Sequence, residues 1–166
     1  MKKKTVGNIL LVILILFISF LSIKINERLS HANRQHVGEI LDSNILSKTS
    51  TLLGSNDQIN SRKVLLVQFS PECDYCQFDA AQIVKRNDTS ICFIFSSGAP
   101  KQNIWAFVDK YALRSIKHCI VASDEGNHIA KLINCSSIPG FVLYDKNHRL
   151  QKKFCGSIKL SLLLDE

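Results

Sequence analysis

The chain has 166 residues, 46% of them hydrophobic and 21% charged, with only seven glycines and three prolines. That supports one domain with a real core, excludes disorder as the main state, and leaves six cysteines too dilute for a disulfide-framework scaffold. The formal charge of +7 is spread out, with seven Lys/Arg against four Asp/Glu in residues 1–60 and fourteen against ten in residues 61–166, and the longest basic run is Lys2-Lys3-Lys4; this argues against a phosphate-binding stripe and a nucleic-acid partner.

Val6 to Ile23 carries no charge, and Ile9 to Phe20 is almost wholly apolar. As a helix the uncharged segment spans roughly 27 Å, close to the hydrocarbon thickness of a bilayer. It is apolar on every face, so it has no amphipathic stripe to orient it in a soluble core. Ser30-His31-Ala32, the nearest small-residue cleavage candidate, lies beyond Lys24, Glu27 and Arg28. Residues 1–25 are therefore expected to be an uncleaved signal anchor forming one transmembrane helix. The slight positive-inside bias of Lys2, Lys3 and Lys4 places the remainder outside the cytoplasm, periplasmic if the source is Gram-negative. Neither an N-myristoylation nor a CaaX motif is present.

Residues 26–60 are polar and mixed and are expected to be a stalk that packs on the domain. Within them Val37, Ile40, Leu41 and Ile45 suit a short amphipathic helix. From residue 61 onward, short apolar runs alternate with helical patterns. Lys63–Phe69 reads as a buried strand, Cys76–Arg86 as a helix, and Ile91–Phe95 as a second buried strand. After the break Ser96-Ser-Gly-Ala-Pro100 come a helix over Gln102–Leu113, a strand over Cys119–Ala122 and a short helix over Asn127–Ile133. Phe141–Tyr144, the turn Asp145–His148 and Leu150–Cys155 read as a closing hairpin. The order βαβαβαββ implies an α/β domain over residues 61–166, with a mixed sheet flanked by helices.

Cys73-Asp74-Tyr75-Cys76 falls between a predicted buried strand and a helix start. At a helix N-terminus, unpaired backbone N–H groups and the helix dipole stabilise a thiolate, which is the nucleophilic form. A spacing of three puts the second sulfur one turn further on, within disulfide range and more buried. The alternative is half of a zinc site, which needs two more ligands at matching spacing. Cys92, Cys119, Cys135 and Cys155 are isolated, and His118-Cys119 is the one adjacent ligand pair. The position favours redox chemistry, with no cofactor and no metal. Pro139, in Ser137-Ile138-Pro139-Gly140, stands just before a strand, where proline is also a common structural choice.

Taken together, Val64–Cys76, Ile120–Gly126, Ala130–Ile133, Ile138–Asp145 and Gly156 resemble the thioredoxin superfamily. Within it the chain is similar to the TlpA/ResA-like branch of membrane-anchored, extracytoplasmic thiol-disulfide oxidoreductases. The resemblance covers roughly residues 61–157. It implies a thioredoxin-like fold with a cis Ile138–Pro139 bond facing the dithiol. It also implies Cys73 as attacking nucleophile, Cys76 as resolving cysteine, and Ile138 and Pro139 as substrate-binding residues. Asp79 matches an acidic residue common in that branch three positions after the second cysteine; as an alternative it is a solvated helix carboxylate. The partners implied are proteins carrying disulfides or thiols, an unidentified membrane or soluble thiol donor of electrons, and the membrane itself.

The departures are Glu72 where the family usually has Trp, Asp74-Tyr75 where a Pro is frequent, and Gly140 where Thr commonly follows the cis-Pro. Glu72 and Asp74 oppose the helix dipole at Cys73, which makes the disulfide a weaker oxidant and leans the reading to a reductase. Cys92 is read as a buried strand hydrophobe. In a sheet of this family Cys135 and Cys155 fall at one end on neighbouring segments, implying a structural bridge between them. Two rivals remain. A peroxiredoxin-like peroxidase is suggested by Ser70-x-x-Cys73, although Leu66 stands where that motif has Pro. A copper or other metal carrier using Cys73, Cys76 and a distal His is weakened by a spacing one residue too short.

Overall fold

The computed structural model describes residues 17–22, 24, 40–41 and 45–165. The chain divides into two units, residues 1–36 and residues 37–166. In the first, residues 17–22 and 24 are helical, with Phe17, Ile18, Phe20 and Leu21 exposed. The rest of the predicted membrane span lies outside the described residues. No described helix is long and apolar enough to cross a membrane.

The second unit is built on a six-stranded sheet. Its strands are β1 (Ser50–Leu53), β2 (Lys63–Gln68), β3 (Ile91–Ser97), β4 (Cys119–Ser123), β5 (Gly140–Tyr144) and β6 (Leu150–Cys155), in the order β1-β4-β3-β2-β5-β6. Strands β2, β3 and β4 are parallel, while β1, β5 and β6 each run antiparallel to the neighbour they join. The apolar runs that identify β2, β3 and β5 are continuous because these strands are covered on both faces. Leu65, Val67, Phe93, Phe95, Val121 and Phe141 point into one layer, and Val64, Leu66, Ile94, Ile120 and Val142 into the other.

Helices α1 (Asp74–Arg86) and α2 (Lys101–Lys110) cover the first layer, with the short α4 (Leu160–Leu164) supplying Leu163 and Leu164. Helix α3 (His128–Ile133) covers the second, together with Leu41, Ile45, Leu46 and Ile59. Helix α1 buries Cys76, Asp79, Ala80 and Ile83, a stripe at the i, i+3, i+4, i+7 spacing of one helical face. It ends at Asn87, left-handed with φ 44°, whose N–H closes on the Ile83 carbonyl. Helix α3 begins where the buried Asp124 carboxylate accepts the N–H groups of His128 at 2.7 Å and Ala130 at 3.0 Å. Both carboxylate oxygens thus satisfy orphan donors of a helix start.

The predicted elements from residue 63 to residue 155 are all present, with shifted ends. The helix expected over Gln102–Leu113 stops at Lys110, because Ala112 turns left-handed (φ 53°) before a 3-10 turn at Leu113–Ser115. The stretch 26–60, expected to be a stalk, supplies the edge strand β1 and 3-10 turns at Ile45–Lys48 and Asn56–Ile59. The helix expected around Val37–Ile45 is not formed at its described positions. Ile40 bridges to Arg149, and the Leu41 N–H donates to the His148 carbonyl at 2.8 Å. Leu41 and Ile45 of that segment are buried all the same, against the sheet face, while Ile40 stays exposed. Val37 and residues 42–44 of that expected helix lie outside the described residues.

Candidate redox site at the start of helix α1

Strand β2 delivers the chain to the turn Ser70–Cys73, closed by the Cys73 N–H on the Ser70 carbonyl at 3.1 Å. Cys73 is the N-cap of α1, extended at φ −86° and ψ 115°, and its sulfur accepts the Cys76 N–H at 3.3 Å. The sulfur therefore sits where the unpaired N–H groups of the first turn converge, a position that favours negative charge. Gln77 fixes this turn from behind. Its Nε2 donates to the Pro71 carbonyl at 3.0 Å, and its Oε1 accepts the Tyr111 hydroxyl of the segment after α2 at 2.7 Å. Glu72 and Asp74 are both exposed.

The two thiols differ as predicted from their spacing. Cys73 is partly exposed and Cys76 is buried. Burial pushes the Cys76 thiol up to about 12, helped by its hydrogen bond with the Cys73 sulfur and by the charges of Cys73 and Asp79. A hydrogen bond with the Ser70 backbone pulls the other way. In the Cys73→Ser variant, alkylation of Cys76 by iodoacetamide at pH 8 is thus expected to be slower than that of an exposed thiol by roughly a hundredfold or more, because the thiolate is the reacting species. A rate matching free cysteine would show that Cys76 is not shielded.

Asp79 is 1% exposed, so the solvated-carboxylate alternative fails. Burial pushes its carboxyl above the usual carboxylate range, and a hydrogen bond from Ser157 opposes this. Ser157 Oγ donates to Asp79 Oδ1 at 3.1 Å, while Oδ2 is buried with no hydrogen-bond partner among the described residues. Ser157 had no local signal in the sequence, since it lies 78 residues from the carboxylate it meets.

The Ile138–Pro139 bond is cis. Register places its loop beside the dithiol turn, because Gly140 pairs with Gln68, the last residue of β2. Ile138 is 39% exposed, and Tyr75 and Phe78 are 66% and 60% exposed on the first turns of α1. The bridge Cys135–Cys155 is formed, with its Cα atoms 5.4 Å apart. Beside it Gly140 is tightly enclosed: a Cβ there would lie 2.9 Å from Ile133 Cγ2 and 3.3 Å from the Cys135 sulfur. Thr has no room there. Cys92 and Cys119 are buried thiols, each pushed up to about 12 by burial. They face opposite layers of the sheet. Among the described residues no three His, Cys, Asp or Glu side chains gather as a metal site.

No protein-family model and no curated protein sequence matches the chain. Solved structures do. A secreted disulfide oxidoreductase of Mycobacterium tuberculosis, homologous to E. coli DsbE, superposes with a TM-score of 0.58 at 19% identity, over 74% of this chain and 95% of that one. A thiol-disulfide isomerase from Corynebacterium glutamicum gives 0.54 at 19% identity, over 75% and 89%. The yeast mitochondrial 1-Cys peroxiredoxin gives 0.54 at 10% identity, over 65% and 63%. What is shared at such identities is the path of the backbone, and the chain has the thioredoxin-like fold.

Proposed function

We propose that the protein is a membrane-anchored, extracytoplasmic thiol-disulfide oxidoreductase that works as a reductase of protein disulfides. The observation that carries this reading is the asymmetry of the dithiol: a partly exposed sulfur capping α1 and a buried thiol one turn beyond it. Cys73 attacks a client disulfide, forming a Cys73–client mixed disulfide and releasing the first client thiolate. Cys76 then attacks Cys73 Sγ, forming the Cys73–Cys76 disulfide and releasing the second client thiolate. The dithiol has lost two electrons and the client has gained them; a membrane or soluble thiol donor restores the reduced state.

Asp79 accepts the proton that Cys76 gives up. Its raised affinity for protons matches it to this task better than an exposed carboxylate. Ile138 offers backbone groups to an extended client segment as an added strand, and the exposed Tyr75 and Phe78 give that segment apolar contact. The bridge Cys135–Cys155 fits an oxidising compartment, and the uncharged run Val6–Ile23 holds the domain at its membrane.

Three assays of the full chain in detergent separate the readings. With dithiothreitol as donor, it is expected to accelerate insulin disulfide reduction, with no consumption of hydrogen peroxide and no stoichiometric binding of Cu(I). Peroxide consumption without insulin reduction would replace this reading with a peroxidase, and tight Cu(I) binding without it would replace it with a metal carrier.

A further inference from the structure

Resting on the oxidoreductase reading above, we infer that Ser157 is a positioning residue for the resolving step, fixing Asp79 so that Oδ2 alone is presented to Cys76. The carboxylate is almost completely enclosed, and its two oxygens are unequal: Oδ1 accepts the Ser157 hydroxyl at 3.1 Å, and Oδ2 has no partner among the described residues. A buried polar atom left unpaired is costly. Asp79 lies on the same buried helical stripe as Cys76, three residues further along α1, and its charge is felt at that thiol.

Ser157 is itself held. It follows Gly156, whose N–H donates to the Pro139 carbonyl at 2.7 Å, and Cys155, bridged to Cys135. One three-residue segment, Cys155-Gly156-Ser157, therefore joins the bridge, the cis-proline loop and the buried carboxylate. This gives the hydroxyl a fixed origin from which to orient Asp79. Other ionisable groups on the elements packed against α1 are engaged elsewhere or lie apart. Asp165, after α4, pairs with Arg86 at 2.6 Å; the Tyr111 hydroxyl bonds Gln77; Lys159 lines a surface groove with Phe78 and Gln82.

In the resolving step the Cys76 proton passes to Asp79 Oδ2. The sulfur then bonds to Cys73 Sγ, the Cys73–client bond breaks, and its electron pair leaves with the client sulfur. Without Ser157 the carboxylate is free to rotate, and its ionised form loses the one hydrogen bond that favours it. Ser157→Ala should slow decay of a Cys73–client mixed disulfide, formed with a thionitrobenzoate-labelled peptide, roughly tenfold at neutral pH. Carboxyl carbon NMR should show the Asp79 titration moved to higher pH in the same variant, and Ser157→Thr should restore both readouts.

An unchanged Asp79 titration together with an unchanged decay rate would overturn the inference while leaving the dithiol reading intact. Loss that Ser157→Thr does not rescue would also overturn it, as would a wild-type chain that forms no mixed disulfide, which would remove the dithiol reading as well.

Discussion

Cys73→Ser is expected to reduce client-disulfide reduction to background, roughly three orders of magnitude or more, the scale on which loss of an attacking nucleophile acts. Serine supplies a hydroxyl oxygen as N-cap acceptor in place of the Cys73 sulfur, so the fold persists while the nucleophile is gone. Cys76→Ser is expected to behave differently. The partly exposed Cys73 still attacks, but nothing then attacks Cys73 Sγ from within α1, and mixed disulfides with client proteins accumulate under non-denaturing, thiol-free conditions. The pair is read on non-reducing gels: crosslinked species with Cys76→Ser, none with Cys73→Ser. Equal trapping by both variants would overturn the division of roles, because it would mean that the two sulfurs are equally accessible, contrary to their burial.

The second large effect concerns stability. Replacing Cys135 and Cys155 together by Ala opens a loop with a sequence separation of 20. The chain-entropy model makes such a closure worth about 3 kcal/mol. For a folded unit of this size that corresponds to a fall in melting temperature of roughly 10 °C. Part of the loss comes from packing, since the Cys135 side chain lies against Gly140 at the start of β5. A differential scanning calorimetry trace unchanged from wild type would sink the structural role. In a Cys73/Cys76 double-Ser variant, non-reducing peptide mapping should still recover the 135–155 crosslink.

The order of elements from Lys63 to Cys155, and the placing of Cys73 and Cys76 between a buried strand and a helix, are legible in the residues themselves. Local periodicity suffices there: the buried positions of β2, of β3 from Ile91 to Phe95 and of β5 from Phe141 to Tyr144 are apolar, and α1 repeats its apolar residues at helical spacing. The cis Ile138–Pro139 loop and the Cys135–Cys155 bridge follow from resemblance rather than from any local pattern. Strand β1 is invisible locally, because Ser50-Thr-Leu-Leu53 is four residues long and becomes a strand only by pairing with β4. Helix α4 is too short to show a repeat, and Leu163 and Leu164 are fixed by the core they enter.

Asp79 marks the same boundary inside the site. Its position in α1, with Ala80 and Ile83, puts it on the stripe that packs inward, while its charge argues for water. A helix pattern cannot decide between the two. The tertiary structure does, by laying the segment after β6 against α1, where the Ser157 hydroxyl meets Oδ1 and solvent is excluded. Sequence patterns report which face of an element is apolar; whether a charged group on that face finds a hydrogen-bond partner depends on contacts from distant parts of the chain, which only the fold supplies.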